Sequence, residues 1–244
     1  EMAQEGVPGP VFVECPIDIL YGEELVREWY GAKSTETPPR NIQERMIQWY
    51  VNRHARKIFE DKDKLTFNPP KAVAIPTHTD ADIERVLRRL QQAKKPLLIL
   101  GSGAMMLPQK ADELAAAVQR LGIPVFLSGM GRGLLGKENN LQMRHKRKEA
   151  IKEADFIILA GVPNDFRLDY GNHIGHRPYA SINRSSEDLY KNKRPTVSVL
   201  ADPEEFLIDI SKKFQGAYPD WVQQLRKRDE AREQQINVQA GEKL

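Results

Sequence analysis

The chain has 244 residues, 40% of them hydrophobic and 29% charged, and its 37 basic residues against 34 acidic ones leave a formal charge of +3. That near balance argues against a nucleic-acid binder, and the single cysteine, Cys15, excludes an intrachain disulfide and fits a reducing compartment. No apolar run approaches the ~18–20 residues of a membrane span, so no membrane contact is expected of this segment, and its start carries no signal-peptide pattern.

Strand-like residues begin by Val11, soon after Glu1, which predicts a piece cut from a longer protein or a processed terminus. Gly9 to Asp18 reads as one short strand closed by Pro16, and a lone strand needs a sheet to join. Cys15 is then buried in that strand, where a thiol is inert. Residues 31–40 read as linker. From Asn41 to Glu60, the residues Ile47, Tyr50, Val51, Ala55, Ile58 and Phe59 recur at spacings of three and four. This predicts a helix, with Arg45, Arg53, Arg56 and Lys57 on a solvated face. Residues 61–78, charged and then proline-bearing, read as a second linker.

The segment 79–216 carries the core. Thr79 or Asp80 caps a helix ending near Ala93. Strand 97–100, helix 109–121, strand 123–127, helix 147–153 and strand 156–160 follow, then weaker strands at 180–182 and 196–200. Asp202-Pro203-Glu204-Glu205 starts a helix through Phe214, with proline at an early helical position. The strong strands are short, unalternating and apolar, as in a parallel sheet buried on both faces. Their alternation with helices predicts an α/β fold with a doubly wound, mostly parallel, Rossmann-like sheet. Residues 217–244 read as a helical linker, apolar around Trp221 and Leu225 and polar from Arg226 to Glu233.

Three strands run into glycine turns: Leu100 into Gly101-Ser102-Gly103, Leu127 into Ser128-Gly129-Met130-Gly131, and Ala160 into Gly161-Val162-Pro163-Asn164-Asp165. Open α/β sheets bind ligands at such carboxyl ends, where backbone N–H groups can converge on one crevice. Met106 occupies the last position of a G-x-G-x-x-G pattern, and no G-x-x-x-x-G-K-[ST] loop is present. Arg167 is placed to clamp a phosphate and Asp165 to accept from a ribose hydroxyl, or the two pair to shape their own loop. Asp202 is placed either to bind adenosine hydroxyls or to cap its helix.

Catalytic and metal-binding sets are missing. Of the five histidines only His173 and His176 are close in sequence, without an accompanying cysteine or acidic cluster. There is no G-x-S-x-G, and the paired carboxylates Glu23/Glu24 and Glu204/Glu205 fall on helical surfaces without an apolar setting to tune them. The basic run Arg144 to Lys148 reads as the solvated start of a helix. The sequon Asn183-Arg184-Ser185 needs a secretory lumen that nothing else supports.

These stretches resemble the thiamine-diphosphate-dependent enzymes. Gly9-Pro10-Val11-Phe12-Val13-Glu14-Cys15-Pro16-Ile17-Asp18 is similar to the end of their pyrimidine-binding domain. Ala93 through Ala104, Ile123 through Gly136 and Ala154 through Arg167 are similar to three successive strand-and-turn units of their central domain. The Trp49-Tyr50 helix, Asp165-Phe166-Arg167-Leu168-Asp169-Tyr170-Gly171 and Pro219-Asp220-Trp221-Val222 point to the branch of acetolactate synthases and animal 2-hydroxyacyl-CoA lyases.

The resemblance implies that residues 1–30 end a pyrimidine-binding domain, 31–78 link, 79–216 form the central domain, and 217–244 lead toward a diphosphate-binding domain. It implies FAD in the central domain, as in flavin-bearing relatives, or ADP or the nucleotide part of coenzyme A, as in acyl-CoA relatives. The positions carried over are Gly101, Ser102, Gly103, Gly129, Met130, Gly131, Gly161, Asp165, Arg167, Asn183 and Asp202. Two positions depart. Pro163 stands where flavin-binding members have an arginine, and Asn183 where they have an acidic residue. A charged clamp and a ribose acceptor are thereby lost or weakened.

The resemblance further implies thiamine diphosphate and magnesium in the intact enzyme, held by the pyrimidine and diphosphate domains of the same polypeptide. The family's catalytic glutamate lies upstream of the segment and its Gly-Asp-Gly…Asn stretch downstream, and neither occurs in this sequence. The expectation is a scaffold domain, inactive by itself, of a homo-oligomeric enzyme that cleaves 2-hydroxyacyl-CoA to an aldehyde and formyl-CoA. Its expected place is intracellular, at the endoplasmic reticulum membrane through an upstream anchor, or else cytoplasmic. Two other readings stand beside it: an independent nucleotide-binding module of sirtuin-like topology, and a ligand-free interaction domain.

Overall fold

Two units divide the chain, one formed by Glu1–Ala3 with Gly9–Ala72 and the other by Gln4–Pro8 with Val73–Leu244. The computed structural model describes residues 3–17, 20–31, 39–61, 64, 66, 69 and 71–241. The first unit holds helices α1 (Glu23–Trp29) and α2 (Ile42–Phe59). Asn41 caps α2, its side-chain oxygen accepting the Glu44 N–H at 2.7 Å. Of the predicted apolar stripe only Ala55 is buried, while Ile47 and Tyr50 are exposed along with the four basic residues. Val26 and Ala55 are the only buried hydrophobic residues among those described in this unit, too few to make a core.

The predicted strand at 9–18 does not form among the described residues. Positions 9–16 have no ladder partner, Phe12 and Val13 are exposed, and Cys15 is exposed rather than buried. An extended segment without a neighbour leaves its backbone groups to water, so nothing holds it as a strand. Asp18, residues 32–38 of the first predicted linker and parts of the second lie outside the described residues.

The second unit carries the sheet. Strands β1 (Pro96–Leu100), β2 (Val125–Leu127), β3 (Gln142–Met143), β4 (Phe156–Ala160), β5 (Tyr179–Asn183) and β6 (Val197–Leu200) pair in the order β3-β2-β1-β4-β5-β6, every pair parallel. The helices are α3 (Asp80–Gln92), α4 (Ala111–Leu121), α5 (Arg147–Glu153), α6 (Ser186–Tyr190), α7 (Pro203–Lys213) and α8 (Pro219–Gly241). Successive residues of a strand point to opposite faces, and both faces are covered. Leu98, Leu100, Ile158 and Ala160 pack with Leu90 of α3, Leu114 of α4 and Phe206 of α7. Leu97, Ile99, Ile157 and Leu159 pack with Ile151 of α5 and with Trp221 and Leu225 of α8. This is the expected doubly wound sheet.

Local chemistry fixes the helix ends. Thr79 and Asp82 form a capping box at α3. The Trp221 indole N–H donates to the Pro96 carbonyl at 2.9 Å and ties α8 to the start of β1. The polar stretch 226–233 belongs to α8, where Asp229 is 2% exposed and accepts the N–H groups of Arg144 and His145 at 2.8 and 2.6 Å.

The turns after β1 and β4 meet backbone to backbone. The Gly103 N–H donates to the Gly161 carbonyl at 3.1 Å, and a Cβ on Gly103 would lie 2.8 Å from the Gly161 Cα. Gly161 also sits at φ +64°, in the left-handed region that penalises any side chain. Strain and overlap together predict that Gly161→Ala costs about 2–5 kcal/mol. At Gly133 a Cβ meets nothing within 4 Å, so Gly133→Ala stays within about 0.5 kcal/mol. Urea denaturation reads both, and equal losses for the two variants would contradict this packing.

Candidate functional site

Strand order reverses between β1 and β4, since β1 leads outward to β2 and β4 outward to β5. The crevice outside their carboxyl ends is the ligand position of such sheets. Most backbone donors of the glycine turns are already committed there. The N–H groups of Gly101, Gly103, Gly161 and Gly131 donate to the carbonyls of Ala160, Gly161, Ile182 and Ser128 at 3.0–3.1 Å. Those of Ser102, Gly129 and Val162 donate to no other described residue. These three residues, one from each turn, line a single cavity of about 210 Å³. The donors that converge are therefore fewer than the glycine pattern implies, and two of the three belong to non-glycine residues.

Of the residues expected in the site, Gly101, Ser102, Gly103, Gly129, Gly161, Arg167 and Asn183 line this cavity, and Pro163 lines it too. Met130, Gly131, Asp165 and Asp202 do not. The Met130 side chain is exposed, and its N–H donates to the Ser102 hydroxyl at 3.1 Å, joining the β1 and β2 turns. Gly131 is buried beneath, where a Cβ would lie 2.7 Å from the Leu100 side chain. Asp165 accepts the Arg167 N–H at 2.9 Å and pairs with its guanidinium at 2.7 Å, so it shapes its own loop. Asp202, 1% exposed, accepts the Glu204 and Glu205 N–H groups at 2.9 and 3.0 Å and caps α7. It also holds the buried Arg184 through Nε at 2.5 Å. Arg184 and Asp188 line the cavity as well, with Val7, Met106 and Ser128, and neither charged residue has a sequence signal beyond following β5.

Two expectations about charge need correction. Glu204 is not on a helical surface: it is fully buried, with one carboxyl oxygen accepting the Leu107 N–H at 3.1 Å and the other without a partner among the described residues. Burial, opposed by that hydrogen bond and reinforced by Asp202 and Glu205, raises its pKa from 4.5 to about 7. A carboxylate at the second position of a helix reads as exposed in sequence, but here the segment before α4 folds over it. The run Arg144 to Lys148 is likewise not a freely solvated face. The His145 ring lies 2.6 Å from Glu233, and Arg147 is half-buried and donates to the Arg167 carbonyl at 2.7 Å. The carboxylates that receive Arg144 and His145 come from α8, 84 or more residues later, whereas Lys146 pairs with Glu149 of α5.

No group of three or more His, Cys, Asp or Glu side chains among the described residues could hold a metal ion. The cavity offers amide donors and guanidinium groups, which suit phosphate, and no nucleophile paired with a base.

Comparison with known proteins places this geometry. The family model for the thiamine pyrophosphate enzyme central domain matches residues 83–210. 2-Hydroxyacyl-CoA lyase 2 of Danio rerio is 38% identical over 249 residues, covering 99% of this chain and 40% of its own length. The Homo sapiens protein of that name is 39% identical over 247 residues, covering 98% and 38%. The acetolactate synthase large subunit of Mycobacterium tuberculosis is 26% identical over 151 residues, covering 62% and 27%. The chain thus spans about 40% of the length of the first of these relatives.

The buried Glu204 carboxyl gives the fold a pH dependence. Its pKa is raised on folding, so the folded state loses stability as pH climbs from about 4.5 through about 7. Glu204→Gln cannot ionise and keeps an acceptor for Leu107. The variant is expected to exceed the parent in stability by roughly 1–3 kcal/mol at pH 8, a gain that vanishes below about pH 4.5. Denaturation curves across that range read it, and a gain that grows toward acid would contradict the assignment.

Proposed function

The chain belongs to the thiamine pyrophosphate enzymes, matched over their central domain, and we propose that it is the scaffold and nucleotide-binding layer of a 2-hydroxyacyl-CoA lyase-like enzyme. The observation that carries the binding role is the convergence of three uncommitted N–H groups, from Ser102, Gly129 and Val162, with Arg167 on one cavity at the switch point. At about 210 Å³ it is small beside the ~300–1,000 Å³ of typical ligand pockets, so it takes a diphosphate with part of a nucleoside. Pro163 and Asn183 on its wall withhold the charges a flavin dinucleotide would use, which favours an adenine nucleotide such as ADP over FAD.

The described residues do not fit thiamine diphosphate or magnesium. The described residues assemble no ligand cluster for a metal, and the sequence lacks a Gly-Asp-Gly stretch. Both groups are assigned to other domains of the same polypeptide, where thiamine diphosphate would supply the carbon–carbon bond chemistry. Large exposed apolar side chains of the first unit, Phe12, Val13, Ile47, Trp49 and Tyr50, support such domains as partners, because soluble surfaces rarely expose so many.

Calorimetric titration with ADP, FAD and coenzyme A tests the binding role. ADP is expected to bind more tightly than about 1 mM, or about 4 kcal/mol, and more tightly than FAD. Binding weaker than that for all three ligands would contradict it. The chain alone, supplied with thiamine diphosphate, magnesium and a 2-hydroxyacyl-CoA, is expected to release no aldehyde, and turnover would contradict the scaffold role.

A further inference from the structure

Beside the glycine crevice, at the carboxyl ends of β2 and β3, lies a second cavity of about 670 Å³. Arg132, Arg144, Arg147 and Arg167 line it, and no acidic residue does. Four guanidinium groups around one space repel each other unless each has a carboxylate or a shared anion. Only two have carboxylates. Arg167 pairs with Asp165 at 2.7 Å, and Arg144 stands 3.9 and 3.7 Å from Asp229 and Glu233. Arg147 donates to a neutral carbonyl, that of Arg167. The Arg132 side chain has no hydrogen bond or ion pair with any described residue.

Two further observations point the same way. Gln142, at the edge of the sheet, lines this cavity at 9% exposure, and its buried side-chain oxygen has no partner among the described residues. A primary amide in that position offers N–H donors to an anion on rotation. Burial, then the charge of Arg167, opposed by Asp165 and followed by Arg132, lowers the pKa of Arg147, in keeping with the crowding of positive charge around this space.

We propose that this cavity is a phosphate subsite, with Arg132 and Arg147 supplying the uncompensated charge that the anion neutralises. It shares Ser128 and Arg167 with the glycine crevice. The phosphate is therefore either the far end of the ligand held in that crevice or a free phosphate anion. The first source rests on the nucleotide reading above, and the second is independent of it.

The test titrates the 244-residue chain and its Arg132→Gln and Arg147→Gln variants with inorganic pyrophosphate and, separately, with ADP. Pyrophosphate is expected to bind the parent chain, less tightly as salt rises, and each substitution is expected to weaken it by about tenfold or more. Arg132 is exposed, so Arg132→Gln carries the test should Arg147→Gln fail to fold. A matching loss for ADP assigns the phosphate to the crevice ligand, whereas unchanged ADP binding assigns it to a free anion. Pyrophosphate that fails to bind, or that binds both variants as tightly as the parent, overturns the subsite and leaves ADP in the crevice untouched. Pyrophosphate lost on substitution, with no ADP binding to any form, upholds the subsite and overturns the crevice reading.

Discussion

Gly103 and Gly161 approach so closely that the amide of one donates to the carbonyl of the other at 3.1 Å, with no room for a Cβ between them. That contact joins the carboxyl ends of β1 and β4, the two central strands, where the order of the sheet reverses. It fixes the height at which both turns leave the sheet. It also decides which backbone donors face the solvent side. Because the amides of Gly101, Gly103, Gly131 and Gly161 are consumed in holding the turns together, the donors left over belong to Ser102, Gly129 and Val162. A glycine at a strand end is thus a packing residue first, and it makes a binding site by what it leaves uncommitted.

The walls of the crevice follow from this placement. On the β5 and β6 side, Arg184 is locked to Asp202, which also caps α7, and the Asp188 carboxylate stands on the wall beside them. On the β2 and β3 side the balance differs, for Arg132 and Arg147 lack carboxylate partners among the described residues. The site is therefore polarised along the sheet edge, neutralised at one end and electropositive at the other. A phosphate-bearing ligand lying across the edge would meet amide donors at one end and guanidinium groups at the other, and no side chain lining the crevice forms a nucleophile–base pair among the described residues. This is why the chemistry is assigned to other domains and binding to this one.

The central strands were legible because they are covered on both faces, which turns Leu97 to Leu100 and Phe156 to Ala160 into unbroken apolar runs. Capping at Thr79 and Asp202 was legible for a local reason, since a cap and its amides lie within three residues. What failed was non-local. β3 is two residues long, and its pairing with β2 leaves no periodicity to read. Glu204 looks like a surface carboxylate until the backbone before α4 closes over it. Arg144 and His145 look solvated until Asp229 and Glu233 arrive from α8. Gly9 to Cys15 has a strand's composition without a strand's neighbours, and composition alone does not supply a ladder. Of the residues that line the two cavities, those of the glycine turns could be named from the sequence, although Met130 and Gly131 of the same turns lie off the wall, whereas Arg184, Asp188, Arg132 and Arg147 could not, because their placement depends on which other charges fold beside them.

The central claim is that the sheet edge binds phosphate through the amides that the glycine contact leaves free. Amide chemical shifts of the isotope-labelled chain, followed by NMR as ADP is added, test it most directly. The account predicts that the Ser102, Gly129 and Val162 amides move most, and those of Gly101, Gly103 and Gly161 much less because they stay bonded within the protein. Shifts largest at the committed amides, or confined to residues away from the β1 and β4 turns, would contradict it.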